Sequence, residues 1–220
     1  MSPIDLTTLA AVKGWLASQG VAPNNTSDDG NIGDAITAFS AMFIWRTGRG
    51  PLDGSDIVES PYVSPVTYDE WYDGNGSQRM FLRNSPIRDV TTLTIGNYTI
   101  PKSTNINTAG WVIDGTGASI ALRNHGGGSF TQGYNFGFGG SFVEDIQNVH
   151  VVYSAGYSSV PYDIEMAARK EVALKYKRKS WIGLKSSSMG QGAGSTTYVE
   201  WEVDPETERV MQNYARTAVV

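Results

Sequence analysis

The chain has 220 residues, 40% of them hydrophobic, no cysteine, two histidines and a formal net charge of −5. That is enough apolar material for one sizeable core or two closely joined modules, and it does not fit a disordered polymer. Without cysteine there is no disulfide framework, thiol nucleophile or cysteine-ligated zinc, and the negative charge gives no global case for binding nucleic acid by phosphate neutralisation.

The N-terminal stretch "MSPIDLTTLAAVKGWLASQG" lacks a basic n-region and spaces its apolar residues, which predicts no secretory signal. No run approaches the roughly 18–20 apolar residues of a membrane helix. Ser2-Pro3-Ile4-Asp5 reads as a helix start, with a hydroxyl N-cap, a proline at the first helical position and a carboxylate at the third. Leu9, Val12 and Leu16 share one face of that helix, and Gly20 stops it. After the loop "PNNTSDDGN", a second helix is predicted over about 33–47, striped by Ile32, Ile36, Phe39 and Phe43. Arg46 and Arg49 fall at its C-terminal end, where the helix dipole favours positive charge.

From about 61 to 157 the period changes to two. Met80 and Leu82, Leu93 and Ile95, Ile120 and Leu122, and Val149, Val151 and Tyr153 alternate with more polar neighbours. Asp73-Gly74-Asn75-Gly76 and Gly96-Asn97 supply turns between strands. The stretch 124–142 is biased toward glycine and aromatics, including Phe130, Tyr134, Phe136 and Phe138, which fits a long hairpin tip or a partner-contact loop.

A third helix is predicted from Pro161 to about Gly183. Asp163 and Glu165 lie in its first turn and Lys175, Lys177, Arg178 and Lys179 near its end, matching the dipole twice. Ile164, Ala168, Val172 and Tyr176 form its inward stripe. "KSSSMGQGAGS" reads as a flexible linker. In "TYVEWEVD", Val199, Trp201 and Val203 alternate with Glu200 and Glu202, a strand pattern. Asp204-Pro205-Glu206 then starts a short helix carrying Val210, Met211 and Tyr214.

Together these elements predict an α+β protein. N- and C-terminal helices form a small bundle around or beside a β-rich middle, with a C-terminal strand-helix extension. The expected segments are an N-terminal helical part (1–60), the β-rich middle (61–157), a long helix completing the helical core (158–184), and a linker with a strand-helix arm (185–220).

Motifs for chemistry are weak. His125 and His150 have no second histidine at metal-binding spacing, so a surface or loop role is expected of each. Asp73, Asn75 and Ser77 mimic the first ligands of a calcium loop, but the twelfth position is Asn84 where a bidentate glutamate belongs, so a structural turn is expected. "GQGAGS" lacks the Lys-Ser/Thr pair of a phosphate loop, and no Gly-x-Ser-x-Gly elbow occurs. Arg79 and Arg83 share a strand face with Phe81, and the stretch around them reads as scaffold, not as a catalytic loop.

Charge is unevenly spread. Residues 1–75 carry ten acidic and three basic side chains, a net of −7. Residues 161–184 carry six basic side chains (Arg169, Lys170, Lys175, Lys177, Arg178, Lys179) and three acidic ones, a net of +3. One reading is a solvated helix face with charges matched to the helix dipole. The other readings are an acidic neighbour or passing DNA, and self-complementary polarity suits head-to-tail association.

Two blocks, "WYDGNGSQRMFLRNSPIRDVTTLTI" and "NVHVVYSAGYSSVPYDIEMAARKEVALKYKRKSWIG", resemble the head-to-tail connector (adaptor, or head-completion) proteins of long-tailed bacteriophages. The second is the more specific: a strand ending Tyr-x-Ala-Gly-Tyr, then Val-Pro-x-Asp-Ile, then a helix closing in a basic-aromatic segment. The resemblance implies a virion structural protein without enzymatic activity or cofactor, located in the head-tail neck and made in the host cytoplasm. It implies a homo-oligomeric ring, commonly twelve-fold, beneath the portal protein. Such a ring contacts the next neck or tail-completion protein and lets double-stranded DNA pass without sequence-specific binding; no membrane is involved.

On that basis the C-terminal segment is expected to reach the portal, burying Val199, Trp201, Val203, Met211 and Tyr214, and strand addition suits its pattern. The basic helix is expected to face a neighbouring subunit or the channel, and Phe130, Tyr134, Phe136 and Phe138 a partner. Two alternatives stand beside this: a tail-completion or baseplate protein contacting a receptor, and a hydrolase using paired carboxylates.

Overall fold

The computed structural model describes residues 2–21, 26–51, 54–123, 140–178, 186–188, 195–197 and 203–216. The protein is a mixed α+β chain with helices toward both termini and strands in the middle, and it divides into two compact units. One contains residues 1–60 and 160–215, the other 61–159 and 216–220.

The first unit is helical. Its helices are α1 (Leu9–Ser18), α2 (Asp29–Arg46, preceded by a 3-10 turn at Thr26–Asp28), α3 (Tyr162–Arg178) and α4 (Pro205–Tyr214). α3 is the hub and packs against α1, α2 and α4. The 3.6-residue stripes are buried as their spacing requires: Val12 and Leu16 on α1, Ile32, Ile36, Phe39 and Phe43 on α2, and Ile164, Ala168 and Val172 on α3. Polar bonds fix the register around them. Lys13 Nζ lies 2.7 Å from Asp29 Oδ1, and the Tyr176 hydroxyl donates to Asp28 Oδ2 at 2.6 Å.

The expected helix start at Ser2 is corrected. α1 begins at Leu9, capped by Thr8, whose Oγ1 accepts the Ala11 N–H. Ser2-Pro3-Ile4-Asp5 instead closes a turn in which Asp5 N–H donates to Ser2 O and Ser2 N–H to Asp5 Oδ2. The same side-chain chemistry that caps a helix serves a turn equally well. Long-range partners decide between them: Asp5 Oδ1 accepts the Thr37 hydroxyl, Leu6 N–H donates to Ser40 Oγ, and Ile4 and Leu6 are buried. Part of the expected linker is also structured, since β8 (Ser186–Ser188) pairs antiparallel with β9 (Ser195–Thr197).

The second unit is antiparallel β. One sheet has the order β1-β7-β3-β4, from β1 (Val66–Gly74), β7 (Asp145–Ala155), β3 (Ile87–Ile95) and β4 (Tyr98–Thr99). The other has the order β2-β6-β5, from β2 (Arg79–Phe81), β6 (Ser119–Arg123) and β5 (Gly110–Ile113). A single core draws on both sheets, with Met80, Leu93, Ile95, Trp111, Ile120, Val149 and Val151 among its members. The alternation read from sequence is therefore the inward face of each strand. The turn at Gly96-Asn97 joins β3 to β4 with Gly96 at φ 57°, a left-handed value natural to glycine.

The Tyr-x-Ala-Gly-Tyr motif has a local cause. Gly156 has φ 130°, and a Cβ there would lie 2.5 Å from Pro61 O. The close approach lets Tyr157 N–H donate to that carbonyl at 2.7 Å and brings the Tyr157 and Tyr62 rings into a stack at 5.9 Å.

Candidate interaction surface on the helical unit

α3 carries five of the six basic side chains singled out from the sequence, and the structure divides them into two groups. Arg169 forms an ion pair with Glu165 one turn earlier. Lys170 Nζ lies 3.0 Å from Asp204 Oδ2 and 2.5 Å from Glu206 Oε2, which holds α4 against α3. Those two cations are committed within the unit. Lys175, Lys177 and Arg178, in the last turn of α3, form no ion pair or hydrogen bond among the described residues. Lys175 is exposed. Lys179 lies outside the described residues.

The contacts of Lys170 show in the electrostatics. Its hydrogen bond to Glu206, then that to Asp204, raises its pKa above the ordinary lysine value. The bond from Lys170 is the largest cause that lowers the Asp204 pKa below the usual carboxylate value. Asp204 also caps α4, its side chain accepting the Glu206 N–H at 3.0 Å, with Pro205 at the first helical position. Its own N–H donates to the buried Glu171 carboxylate at 2.6 Å. At the far end of α4 the Tyr214 hydroxyl donates to Asp163 Oδ1 at 2.9 Å.

Of the expected arm residues, Val203 and Met211 are buried within this unit, 7% and 4% exposed, so their burial needs no partner. Tyr214 is half-buried and tied to Asp163. Val199 and Trp201 lie outside the described residues, as do Phe130, Tyr134, Phe136 and Phe138 of the expected contact loop.

Between α1, α3 and α4 runs a groove of about 440 Å³. Trp15, Met166, Ala167 and Val210 give it apolar walls, and Asp163, Lys170 and Glu206 supply its charges. Tyr162 stands beside it, 72% exposed. Sequence inspection missed this groove because it depends on where α4 docks.

The β unit contains two polar clusters that the sequence did not reveal. In the first, the Tyr153 hydroxyl donates to Glu70 Oε2 at 2.7 Å and accepts both the backbone and side-chain N–H of Asn84 at 3.2 Å. The Tyr72 hydroxyl lies 3.2 Å from it, donates to the same Glu70 carboxylate and accepts Arg83 N–H at 3.0 Å. Burial, foremost, pushes both phenol pKa values far up. Both rings stay neutral and act as struts. The signal was present in the alternation of β7 and in Tyr72, but their meeting depends on strand register.

In the second cluster His150 Nε2 is 2.6 Å from Asp69 Oδ1, and its ring stacks on Trp71 at 4.6 Å. The imidazole bonds no hydroxyl nucleophile among the described residues, so this pair lacks the third member of a hydrolytic triad there. Among the described residues no group of three or more His, Cys, Asp or Glu side chains gathers to hold a metal, and no helix is long and apolar enough to cross a membrane.

No known protein-family model matches this chain, and no curated protein matches it either. Among solved structures it is similar to a chain in the neck of a native GTA (gene transfer agent) particle computed with C12 symmetry. That match has 13% identity, a TM-score of 0.43 and coverage of 100% of this chain and 98% of the other. It is also similar to a chain in the neck of an empty GTA particle computed with C6 symmetry. There the identity is 14%, the TM-score 0.46 and the coverage 98% of this chain and 96% of the other.

Proposed function

We propose that the chain is a structural subunit of the neck of a tailed-phage-like particle, assembling as a ring beneath the portal and joining head to tail. The observation that carries this is the end of α3. Within the block that resembles the connector family, Lys175, Lys177 and Arg178 have no partner among the described residues of an otherwise acidic chain. Unpaired cations on a net-negative molecule suit contact with the acidic surface of a neighbouring copy. Double-stranded DNA passes through the ring without sequence-specific contact, and the overall negative charge keeps that polyanion mobile. Twelve copies are the expected number, with the portal on one side and the next neck or tail-completion protein on the other.

The portal contact is assigned to Val199 and Trp201. They precede Val203 and α4, and buried Val203 and Met211 anchor the segment to its own subunit.

Co-sedimentation of the purified chain with portal-bearing, tailless heads tests the proposal. Binding to those heads, and its loss in Trp201→Ala with the fold intact, is the expected result. No binding to heads, or binding that Trp201→Ala leaves unchanged, overturns the portal assignment.

A further inference from the structure

We infer that the groove between α1, α3 and α4 is the seat for the basic C-terminal end of α3 from the next copy of this chain. The inference rests on the self-assembling reading above and names the surfaces that meet. The groove has apolar walls from Trp15, Met166 and Val210 and a surplus of negative charge. Its one lysine, Lys170, is already neutralised by Asp204 and Glu206, which leaves the Asp163 carboxylate beside the exposed Tyr162 ring as its outward chemistry.

The complementary surface is on the same helix. Lys175, Lys177 and Arg178 are twelve to fifteen residues beyond Asp163, about 18–22 Å along the axis at 1.5 Å per residue. A rigid helix cannot fold back over that span, so the basic end cannot reach its own groove. The two surfaces meet only between copies, and each copy then offers one as donor and the other as acceptor. Such a contact is heterologous, and it generates a ring when the rotation closes. An aliphatic lysine stem lying on Tyr162 and Met166, with its ammonium toward Asp163, satisfies both parts of the groove.

The chain has no cysteine, so an introduced thiol is the only one it carries. Tyr162→Cys and Lys175→Cys alter exposed side chains outside the core. The two single variants are mixed, assembled on portal-bearing heads and treated with a short bismaleimide. Covalent dimers are expected in the mixture and not with either variant alone, because a heterologous contact pairs unlike positions. The double variant on one chain should give a ladder of higher oligomers, and replacing Tyr162→Cys by Asp34→Cys, on the exposed side of α2, should abolish the dimers.

Rings that assemble without cross-linking in the mixture overturn the groove assignment while leaving the ring intact. Cross-linking of Tyr162→Cys to the portal or another component overturns it in favour of that occupant. Failure of the unmodified chain to assemble on heads at all removes the ring reading itself.

Discussion

One hydroxyl, that of Tyr153, touches Glu70, Asn84 and Tyr72 inside the β unit. Replacing it with phenylalanine keeps the ring and leaves the buried Asn84 N–H without its acceptor. The expected cost is about 1–3 kcal/mol, read from chemical denaturation of the unit. An unchanged midpoint would mean that the network carries no net stability. The raised phenol pKa values also set a pH direction. Stability from the two neutral tyrosines is fully present below their unfolded value of 10.0 and is lost as pH rises above it toward the folded values. In Tyr153→Phe that alkaline loss should shrink. At this scale the sequence was informative about burial and uninformative about partners. Val149, Val151 and Tyr153 alternate visibly, but the meeting of Tyr153 with Asn84 and Glu70 depends on contacts 69 and 83 residues apart. Asp5 is the opposite lesson: its carboxylate matched a helix-start pattern, and its distant partner Thr37 converted that pattern into a turn.

At the scale of elements, α4 is fixed by polar contacts at its start and by the burial of Thr207 and Met211. Asp204 does two jobs, capping the helix and binding Lys170. Its lowered pKa means that its contribution is present above the unfolded value of 3.8 and is lost as pH falls through the folded value. Lys170 has the mirror-image dependence, losing its contribution as pH rises through a folded value above 10.5. Both side chains remain about a third exposed, so solvent screens the pair, and Asp204 acts through its cap on α4 as well. Asp204→Ala should cost about 0.5–2 kcal/mol. Amide hydrogen exchange should show α4 losing protection at neutral pH in this variant and in the unmodified chain only under acid. Equal protection of α4 in both at neutral pH would contradict that role. The helix itself was legible from Asp204-Pro205-Glu206, as were the stripes of α2 and α3. Its docking was not, because the Lys170 and Glu171 partners lie 33–36 residues away. A periodic pattern shows which face needs cover without showing what provides it.

For the molecule as a whole, helical ends and a β-rich middle were legible in the sequence, because the hydrophobic period changes between them. The sequence also showed the excess of positive charge on α3 but not its partition. Arg169 and Lys170 are spent within the unit, whereas Lys175, Lys177 and Arg178 form no ion pair among the described residues. If their partner is the next copy, reversing all three to glutamate should weaken ring formation by about tenfold or more while leaving the fold intact, most strongly at low salt. Sedimentation across a salt series reads this directly. The central claim, a ring-forming neck subunit, is tested most directly by reconstructing the vertex of heads saturated with the chain, without imposed symmetry. A closed ring of copies beneath the portal, with the basic end of each α3 against the adjacent copy, is the predicted result. Density at another site on the particle, or isolated copies that do not touch one another, would contradict it.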